Sequence, residues 1–236
     1  MLKSIFFFVC IPFLFPLEMT SQNEVTQNDL NYEKNNLLYQ NAFENNLSDF
    51  VVETKISKTV KVKTEKGKLI IDVDRGATVW LNKKLSGNIS IEYTRKVIMK
   101  NGANDRLSDL NQFWMANDPK NPKFFTREGN FEEYDSLQLY YFGIGGNRNT
   151  TSRFRKYIGN GERVLIHDYM ENKYMLEPNK TYLIQTVCYN GSIRVFVDHK
   201  EYFYFSDENP LTSGFFGIRT TESRQEIDNL KIYSLN

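Results

Sequence analysis

A cluster of basic and aromatic residues in the middle of the sequence has side chains suited to an acidic ligand. It comprises Tyr140, Tyr141, Arg148, Asn149, Arg153, Arg155 and His167. No acidic residue interrupts the stretch from Arg148 to Lys156. An arginine side chain binds a carboxylate through two parallel hydrogen bonds, so the cluster predicts a site for an acidic sugar such as a uronate. Arg148 and Asn149 are candidates for substrate binding.

The same residue types could carry out elimination from a uronate. That reaction needs a cation to neutralise the carboxylate, a base for the C5 proton and an acid for the leaving oxygen. Arg153 or Arg155 is the candidate cation. His167 or Tyr140 is the candidate base, and Tyr141 is the candidate acid.

The residues from 163 to 169 alternate as a β-strand does. Strict alternation would place His167 on a polar face with Arg163 and Tyr169, as expected for the lining of a groove. The alternative is that His167 lies on the surface or is hydrogen-bonded to a structural partner.

A second set of candidates is a pair of carboxylates. Side chains two positions apart on a strand share a face, so Glu133 and Asp135 could act as the catalytic pair of a glucanase. Gln138 stands where a third acid would be expected. The alternative is a solvated strand entry with its acids in water.

A polar and aromatic group before Pro119 has the composition of a sugar subsite. It consists of Asn111, Trp114, Asn117 and Asp118. A tryptophan ring stacks on a pyranose, and amide and carboxylate groups bind its hydroxyls. The alternative is a core tryptophan followed by a turn.

The segment from 88 to 100 predicts a strand with one apolar face, formed by Ile89, Ile91, Tyr93, Val97 and Met99. Arg95 falls on that face. A charge there is costly unless it is paired or faces a wet cleft, so Arg95 is a further candidate for substrate binding, with a structural ion pair as the alternative. We expect Arg95, Tyr140 or Tyr141, and His167 to line one concave face.

Charge and metal-ligand content exclude several classes of function. The 30 basic and 29 acidic residues nearly cancel, which implies no nucleic-acid partner. Two histidines, with Cys188 as the one cysteine of the expected mature chain, do not indicate a zinc site, and no other cofactor motif occurs. Ca²⁺ is weakly supported by the oxygen ligands of Asn101, Asn104, Asp105 and Asp109, which lack EF-hand spacing.

The N-terminus has the pattern of an export signal. Lys3 precedes an apolar run from Ile5 to Leu17, and small polar residues follow. We expect a signal peptide at 1–21, a flexible linker at 22–36 and one domain at 37–236. The protein is therefore expected to be secreted or periplasmic in a bacterium, with no membrane-spanning segment after cleavage.

The rest of the chain is patterned as short strands. Gly67 and Gly76 bound two of them, and Asn190-Gly191 is a strong signal for a two-residue hairpin. About a dozen strands without intervening helices predict an all-β fold, a two-sheet antiparallel jelly-roll sandwich.

The C-terminal third carries three motifs that resemble a known superfamily. They are the segments 190–198 (NGSIRVFVD), 214–219 (GFFGIR) and 227–232 (IDNLKI). Together with Leu69-Ile70-Ile71 and Trp80 they resemble the concanavalin A-like lectin/glucanase superfamily, and within it the laminin-G-like domains of bacterial 3-keto-disaccharide hydrolases. The resemblance implies a sandwich and does not by itself identify a reaction.

The central block, segments 111–119 (NQFWMANDP) and 149–155 (NTTSRFR), resembles a family of secreted proteins of unknown function from polysaccharide-degrading gut bacteria. This resemblance implies a role in glycan degradation. We therefore expect a carbohydrate-active protein that cleaves an acidic polysaccharide or oligosaccharide, as a lyase or glycoside hydrolase. The alternative is a noncatalytic carbohydrate-binding module.

The first testable prediction concerns processing. Expression with export in a bacterial host should give a mature chain that begins near Gln22, and Cys188 should be its single thiol because Cys10 is removed with the signal. Intact mass combined with thiol titration measures both. A lipid adduct on Cys10, or a mass that includes the apolar segment, would contradict the prediction.

Overall fold

The computed structural model describes residues 32–55 and 57–236. The expected signal peptide and residues 22–31 of the expected linker therefore lie outside the described residues. The first strand, β1 (Lys34–Asn41), begins three residues before position 37. The domain boundaries stay a prediction.

The described residues form two antiparallel sheets of eight strands each, which confirms the predicted sandwich. The first sheet contains, in spatial order, β14 (Lys200–Ser206), β13 (Ser192–Val197), β12 (Thr181–Tyr189), β7 (Ile89–Val97), β16 (Ser223–Leu235), β4 (Leu69–Val73) and β3 (Lys61–Thr64), with β1 paired to β16. The second contains β11 (Arg163–Tyr169), β10 (Thr151–Ile158), β9 (Gln138–Gly145), β8 (Leu110–Asn117), β15 (Ser213–Thr220), β5 (Ala77–Leu81) and β2 (Phe50–Thr54), with β6 (Leu85–Ser86) paired to β15.

Helical structure in the described part of the chain is confined to single turns. They are the 3₁₀ helices Phe131–Tyr134 and Asn172–Tyr174 and the turn Gly146–Asn149. The hairpin predicted at Asn190-Gly191 joins β12 and β13, and both residues have positive φ, 48° and 79°. Strand β7 alternates as predicted, with Ile91, Tyr93 and Arg95 all fully buried on one face.

The main core lies between the sheets. Ile91 and Ile232 from the first sheet meet Trp114, Phe142 and Ile218 from the second. Complete burial of such side chains contributes about 1.5–3 kcal/mol each. The indole of Trp114 stacks on Phe154 and donates from Nε1 to Sγ of Cys188 at 3.2 Å, so the tryptophan lies in the core.

A second apolar cluster covers the outer face of the second sheet. Trp80, Phe113 and Tyr141 project from the strands into this cluster. Residues 118–137, which connect β8 to β9 and are called the strap below, pack Phe124 and Tyr134 onto them. Because the strap covers only part of the sheet, the remaining outer face stays open.

The guanidinium of Arg95 joins the two sheets. It extends from β7, donates from Nε to Oε1 of Gln225 at 2.5 Å, and donates to the backbone carbonyls of Asn111 at 2.8 Å and Arg219 at 2.7 Å. Those carbonyls belong to β8 and β15 of the second sheet. Burial lowers the pKa of this guanidinium from its ordinary value.

Replacing Arg95 tests this connection. Arg95→Met should lower the free energy of unfolding by about 1–3 kcal/mol or more, because it leaves three buried neutral acceptors, on Gln225, Asn111 and Arg219, without their donor. Arg75→Met, which changes an exposed arginine, is the matched control and should alter stability by less than about 0.5 kcal/mol. Urea denaturation followed by tryptophan fluorescence measures both. Equal stability of the two variants would contradict the role of Arg95.

Candidate functional site

An open cleft of about 200 Å³ lies on the outer face of the second sheet, beside the strap. We call it the arginine cleft. It is lined by Arg106, Ser108, Asp109, Asn111, Phe131, Tyr141, Gly143, Gly146, Asn147, Thr151, Arg153, Arg155 and Thr221. Four of the residues selected from the sequence, Asn111, Tyr141, Arg153 and Arg155, therefore meet in one place.

The strand register explains why these four residues meet. Arg153 on β10 is opposite Gly143 on β9, and Gly143 is opposite Asn111 on β8. Arg155 is opposite Tyr141 in the next row. Residues two apart on a strand share a face, so both rows project outward.

Gly143 leaves the space that makes the cleft. A Cβ at this position would overlap the Tyr141 hydroxyl and the side-chain oxygen of Asn111. Those two groups form a hydrogen bond, in which the hydroxyl donates to Oδ1 at 3.1 Å. Burial raises the pKa of Tyr141 above its ordinary value of 10.0, so the hydroxyl stays protonated at neutral pH.

The arginines of the cleft differ in their partners. Arg153 is paired with Asp168 at 2.9 Å, and Arg106 with Glu222 at 3.0 Å. Arg155 has no carboxylate within 4.0 Å among the described residues, and its guanidinium carbon lies 5.9 Å from the centroid of the Tyr141 ring. Arg155 is thus a half-buried cation without an acidic partner in the described part of the chain.

Asp109 holds Asn111 in place from below. Its carboxylate accepts from Nδ2 of Asn111 at 2.5 Å, from the hydroxyl of Thr220 at 3.1 Å and from the amide of Thr221 at 3.2 Å. Burying a carboxylate is costly unless it is hydrogen-bonded, and these three donors satisfy the buried charge of Asp109. The amide of Asn111 is therefore oriented before any ligand binds.

The strap forms one wall of the cleft and is anchored by buried polar groups. The carboxylate of Glu53 accepts from Nε1 of Trp80 at 2.8 Å, from the Tyr134 hydroxyl at 3.0 Å and from the amide of Arg127 at 2.9 Å. The Arg127 guanidinium also pairs with Asp118, and both side chains are almost completely buried. Phe131 projects from the anchored strap to the cleft.

Arg95 and Tyr140 lie between the sheets and not on the expected concave face. Both are fully buried. Tyr140 donates to Oδ2 of Asp207 at 2.6 Å, and burial raises its pKa well above the ordinary value. Tyr140 alternates with Tyr141 along β9, so only one of the two tyrosines can face the cleft. The expectation of one shared concave face was wrong, because the side chain of Arg95 is bonded in the interior between the sheets.

His167 lies on the opposite face of the second sheet from Arg155. On β10, Phe154 pairs with His167 of β11, and the next residue, Arg155, pairs with Leu165. One residue of β11 is therefore left without a partner and forms a bulge. The bulge reverses the alternation, so His167 and Tyr169 share the inner face as expected, but Arg163 lies on the outer face, and the expected common face of all three was wrong. The ring bonds the Tyr204 carbonyl through Nε2 at 2.6 Å and the Tyr169 hydroxyl through Nδ1 at 3.2 Å.

Glu133 and Asp135 lie in the strap and not on a strand. Glu133 belongs to the 3₁₀ helix and accepts from the backbone amides of Glu128 and Asn130. Asp135 forms a two-bond pair with Arg163, at 2.6 and 2.7 Å. The expected strand was wrong, because Glu133 closes a local turn and Asp135 is held by an arginine of β11, so the two carboxylates do not face a groove together.

The remaining candidates are engaged in structure or lie beside the cleft. Trp114 is in the core, Asn117 donates to the Ser213 carbonyl, and Asp118 pairs with Arg127. Asn149 bonds both backbone groups of Leu176. Arg148 is exposed in a left-handed turn and does not line the cleft.

Sequence reasoning missed several residues of the cleft as ligand contacts. Arg106, Phe131, Asn147 and Thr221 come from connections that are distant along the chain, and Asp109 was considered only for Ca²⁺. One signal was available. Gly143 and Gly145 interrupt the strand pattern of β9, and a glycine within a strand marks a place where another group approaches closely.

The described residues contain neither a metal-ligating cluster nor a membrane-spanning helix. Within 32–55 and 57–236, no group of three or more His, Cys, Asp or Glu side chains is placed to hold a metal ion. Asp105, one of the Ca²⁺ candidates, is paired with Arg224 at 2.8 Å. None of the helical segments described here has the length and apolar character to cross a bilayer.

A larger cavity of about 390 Å³ lies at the end of β1. Its lining comprises Gln40, Asn41, Ala42, Glu44, Asn45, Asn229, Leu230 and Lys231. These residues include no aromatic ring and no arginine. The arginine cleft combines a half-buried cation, an aromatic ring and amide side chains, and is the better candidate site.

Comparison with known proteins establishes the family and the fold. A family model described as a domain of unknown function (DUF6250) matches residues 71–230. No curated protein matches the sequence. Among similar solved structures, a Bacillus subtilis protein of unknown function with a galectin-like fold has a TM-score of 0.69 at 15% identity, over 86% of this chain and 98% of that chain.

Two further similar structures are proteins of named activity. The carbohydrate-binding module CBM66 from Bacillus subtilis has a TM-score of 0.52 at 12% identity, over 79% of this chain and 96% of that chain. An endo-β-1,3-glucanase from Pyrococcus furiosus has a TM-score of 0.60 at 8% identity, over 85% of this chain and 94% of that chain. At such identities the likeness shows the shared sandwich fold.

The ion pair that anchors the strap should make stability depend on pH. Burial works to raise the pKa of Asp118, but hydrogen bonds from the Lys120 amide and the Arg127 guanidinium outweigh it and hold the pKa below 3.8. Asp118→Asn should therefore lower the free energy of unfolding at pH 7 by about 3 kcal/mol. The stabilisation by the carboxylate is present above the unfolded pKa and is lost as pH falls through the lower folded pKa.

Urea denaturation at a series of pH values measures this effect. The difference between wild type and Asp118→Asn should shrink as the pH falls below about 4. Glu208→Gln, a carboxylate-to-amide change at an exposed position, is the control and should match wild type throughout. A difference that stayed constant to the lowest pH at which the protein folds would contradict the assignment to this carboxylate.

Proposed function

The chain belongs to the DUF6250 family, whose model matches more than half of its length, and we propose that it is an exported protein that binds an acidic glycan in the arginine cleft. The proposal rests on the position and surroundings of the Arg155 side chain. Its guanidinium lies on the cleft without an acidic partner among the described residues, whereas Arg153 and Arg106 are each paired.

The chemistry of the cleft suits a sugar that carries a carboxylate. A guanidinium in a partly desolvated site binds a carboxylate by charge-assisted hydrogen bonds. The ring of Phe131 lines the cleft and the amide of Asn147 can bind a hydroxyl, while Asn111, held by Asp109 and Tyr141, fixes the shape of the site. The similar structures include a carbohydrate-binding module and a glucanase, which supports a saccharide as the ligand.

The cellular setting is part of the proposal. The N-terminal pattern supports export, and the central block resembles secreted proteins of gut bacteria that degrade polysaccharides. A protein of this kind would meet glycan outside the cytoplasm, in the periplasm or beyond the cell.

The geometry favours binding over hydrolysis. Hydrolysis of a glycosidic bond uses two carboxylates that flank the bond. In the described residues, Asp109 is the one carboxylate of the cleft lining and its oxygens are occupied by three donors. Glu133 and Asp135 lie in the strap, engaged in its own bonds.

Elimination is the second candidate, and one observation favours it. Arg155, Asn111 and the Tyr141 hydroxyl share the cleft, so a cation could neutralise the carboxylate and the hydroxyl could donate a proton to the leaving oxygen. The raised pKa of Tyr141 suits a proton donor better than a base. His167, the base considered from the sequence, lies on the other face of the sheet.

Loss of the Arg155 cation should weaken binding of acidic glycans. Arg155→Ala should reduce affinity for a uronate-containing ligand by about 10- to 100-fold, as expected for a hydrogen bond to a charged group. Arg194→Ala changes an arginine on the outer face of the first sheet and is the matched control. Calorimetric titration of both variants and wild type against a panel of acidic and neutral polysaccharides measures the effect.

Two results of that panel decide between the candidates. Unsaturated product, detected by its ultraviolet absorbance during incubation with the wild type, would establish elimination. Binding without product would establish the binding module. Equal affinity of wild type, Arg155→Ala and Arg194→Ala for every acidic ligand would overturn the assignment of the cleft.

A further inference from the structure

A row of paired residues that passes through the arginine cleft crosses five strands. In order it runs through Asp168, Arg153, Gly143, Asn111 and Arg219, on β11, β10, β9, β8 and β15. A groove along this whole row would accept the middle of a polysaccharide. The row is open at the β11 edge and closed at β15.

The closure at β15 is produced by the strap. Arg219 is completely buried, and its guanidinium donates to the Gly129 carbonyl at 3.2 Å. The Phe131 ring lies 4.8 Å from the same guanidinium and 4.5 Å from that of Arg163 at the other side of the sheet. The strap contacts Trp80 on β5 through Phe124 and Arg163 on β11 through Asp135, so it crosses the sheet, and its Gly129 ends the groove beyond Asn111.

The closure is a fixed part of the fold. The buried Glu53 carboxylate holds Trp80 of the sheet together with Tyr134 and Arg127 of the strap. Arg127 also donates within the strap, to the carbonyls of Phe124 and Glu133 at 2.8 Å. Moving the strap would leave these buried groups without partners, which is costly.

The open part of the cleft is small. Its volume of about 200 Å³ lies below the range of about 300–1,000 Å³ that is usual for drug-sized ligands. At its other end the Arg106–Glu222 ion pair and Asn147 bound the space. A space of this size suits one sugar ring, with further residues outside.

We infer that the cleft takes the terminal residue of an acidic glycan and not an internal one. The carboxylate of that residue lies against Arg155, and the rest of the glycan leaves over β11, where Leu165 is 51% exposed. This inference rests on the proposed function, because it assumes that an acidic saccharide occupies the cleft. It adds that the residue bound in the cleft is the end of the glycan.

Calorimetric titration of the wild-type protein with ligands of increasing length tests the inference. The probes are free glucuronate, galacturonate and mannuronate, their dimers, tetramers and hexamers, and the parent polymers. A terminal site predicts affinities per chain within about threefold from the monomer to the hexamer of the preferred uronate, because added residues contact little protein. Each linear polymer chain should then bind one protein molecule, because it has one reducing end and one non-reducing end.

Modified ends identify which end is bound. One set of hexamers has the reducing end opened to the alditol, and a second set carries an unsaturated non-reducing residue. A loss of at least about tenfold in one set alone supports the inference and names the end. Arg155→Ala should weaken binding of every length, and Arg194→Ala should not.

Two outcomes overturn the inference in distinguishable ways. An affinity that rises more than about tenfold from monomer to hexamer, with many protein molecules on each polymer chain and no effect of either modified end, would show internal binding while the proposed function stands. Absence of binding by every uronate, of any length, would overturn the proposed function and the inference with it.

Discussion

The buried guanidinium of Arg95 is the connection on which the candidate site depends. It donates from the first sheet to the backbone carbonyls of Asn111, which lines the arginine cleft, and of Arg219, the neighbour of Asn111 on β15. A cation in an apolar interior is tolerated when its donors are satisfied, and here the acceptors are main-chain oxygens and Gln225. The relative position of the sheets and the position of the cleft floor are therefore set by the same contacts.

The strap converts one half of an open sheet into the wall of a cleft. Its aromatic side chains cover Trp80 and Phe113, which would otherwise expose a large apolar surface. Glu53 and the Asp118–Arg127 pair supply the directional contacts that apolar packing lacks. The segment that completes the packing thus determines how much of the sheet a ligand can reach. The size of the site is therefore set by the position of the strap.

The part of the site that could be found from sequence is the part carried by regular strands. Arg153 and Arg155 are two apart on β10, and a stretch that contains basic but no acidic residues was enough to select them. Tyr141 and Asn111 were selected by residue type, and the register of β8, β9 and β10 then aligned them. The predicted position of His167 was wrong because a one-residue bulge has no distinct sequence pattern. Such a bulge nevertheless moves the later side chains of the strand to the other face. Trp114, by contrast, took the core position that had been the alternative to a sugar subsite.

The sequence by itself determined the strands, the hairpin at Asn190-Gly191 and the all-β class, because alternation and positive φ are properties of neighbouring residues. The N-terminal export signal is likewise a local pattern, and it stays a prediction. Only the tertiary structure decided which strands are neighbours, where the bulge in β11 lies, and that the strap closes the cleft beyond Asn111. These features arise from contacts such as Glu53 with Tyr134, between residues 81 positions apart. Packing and buried hydrogen bonds select them for the whole fold at once, so no short segment encodes them.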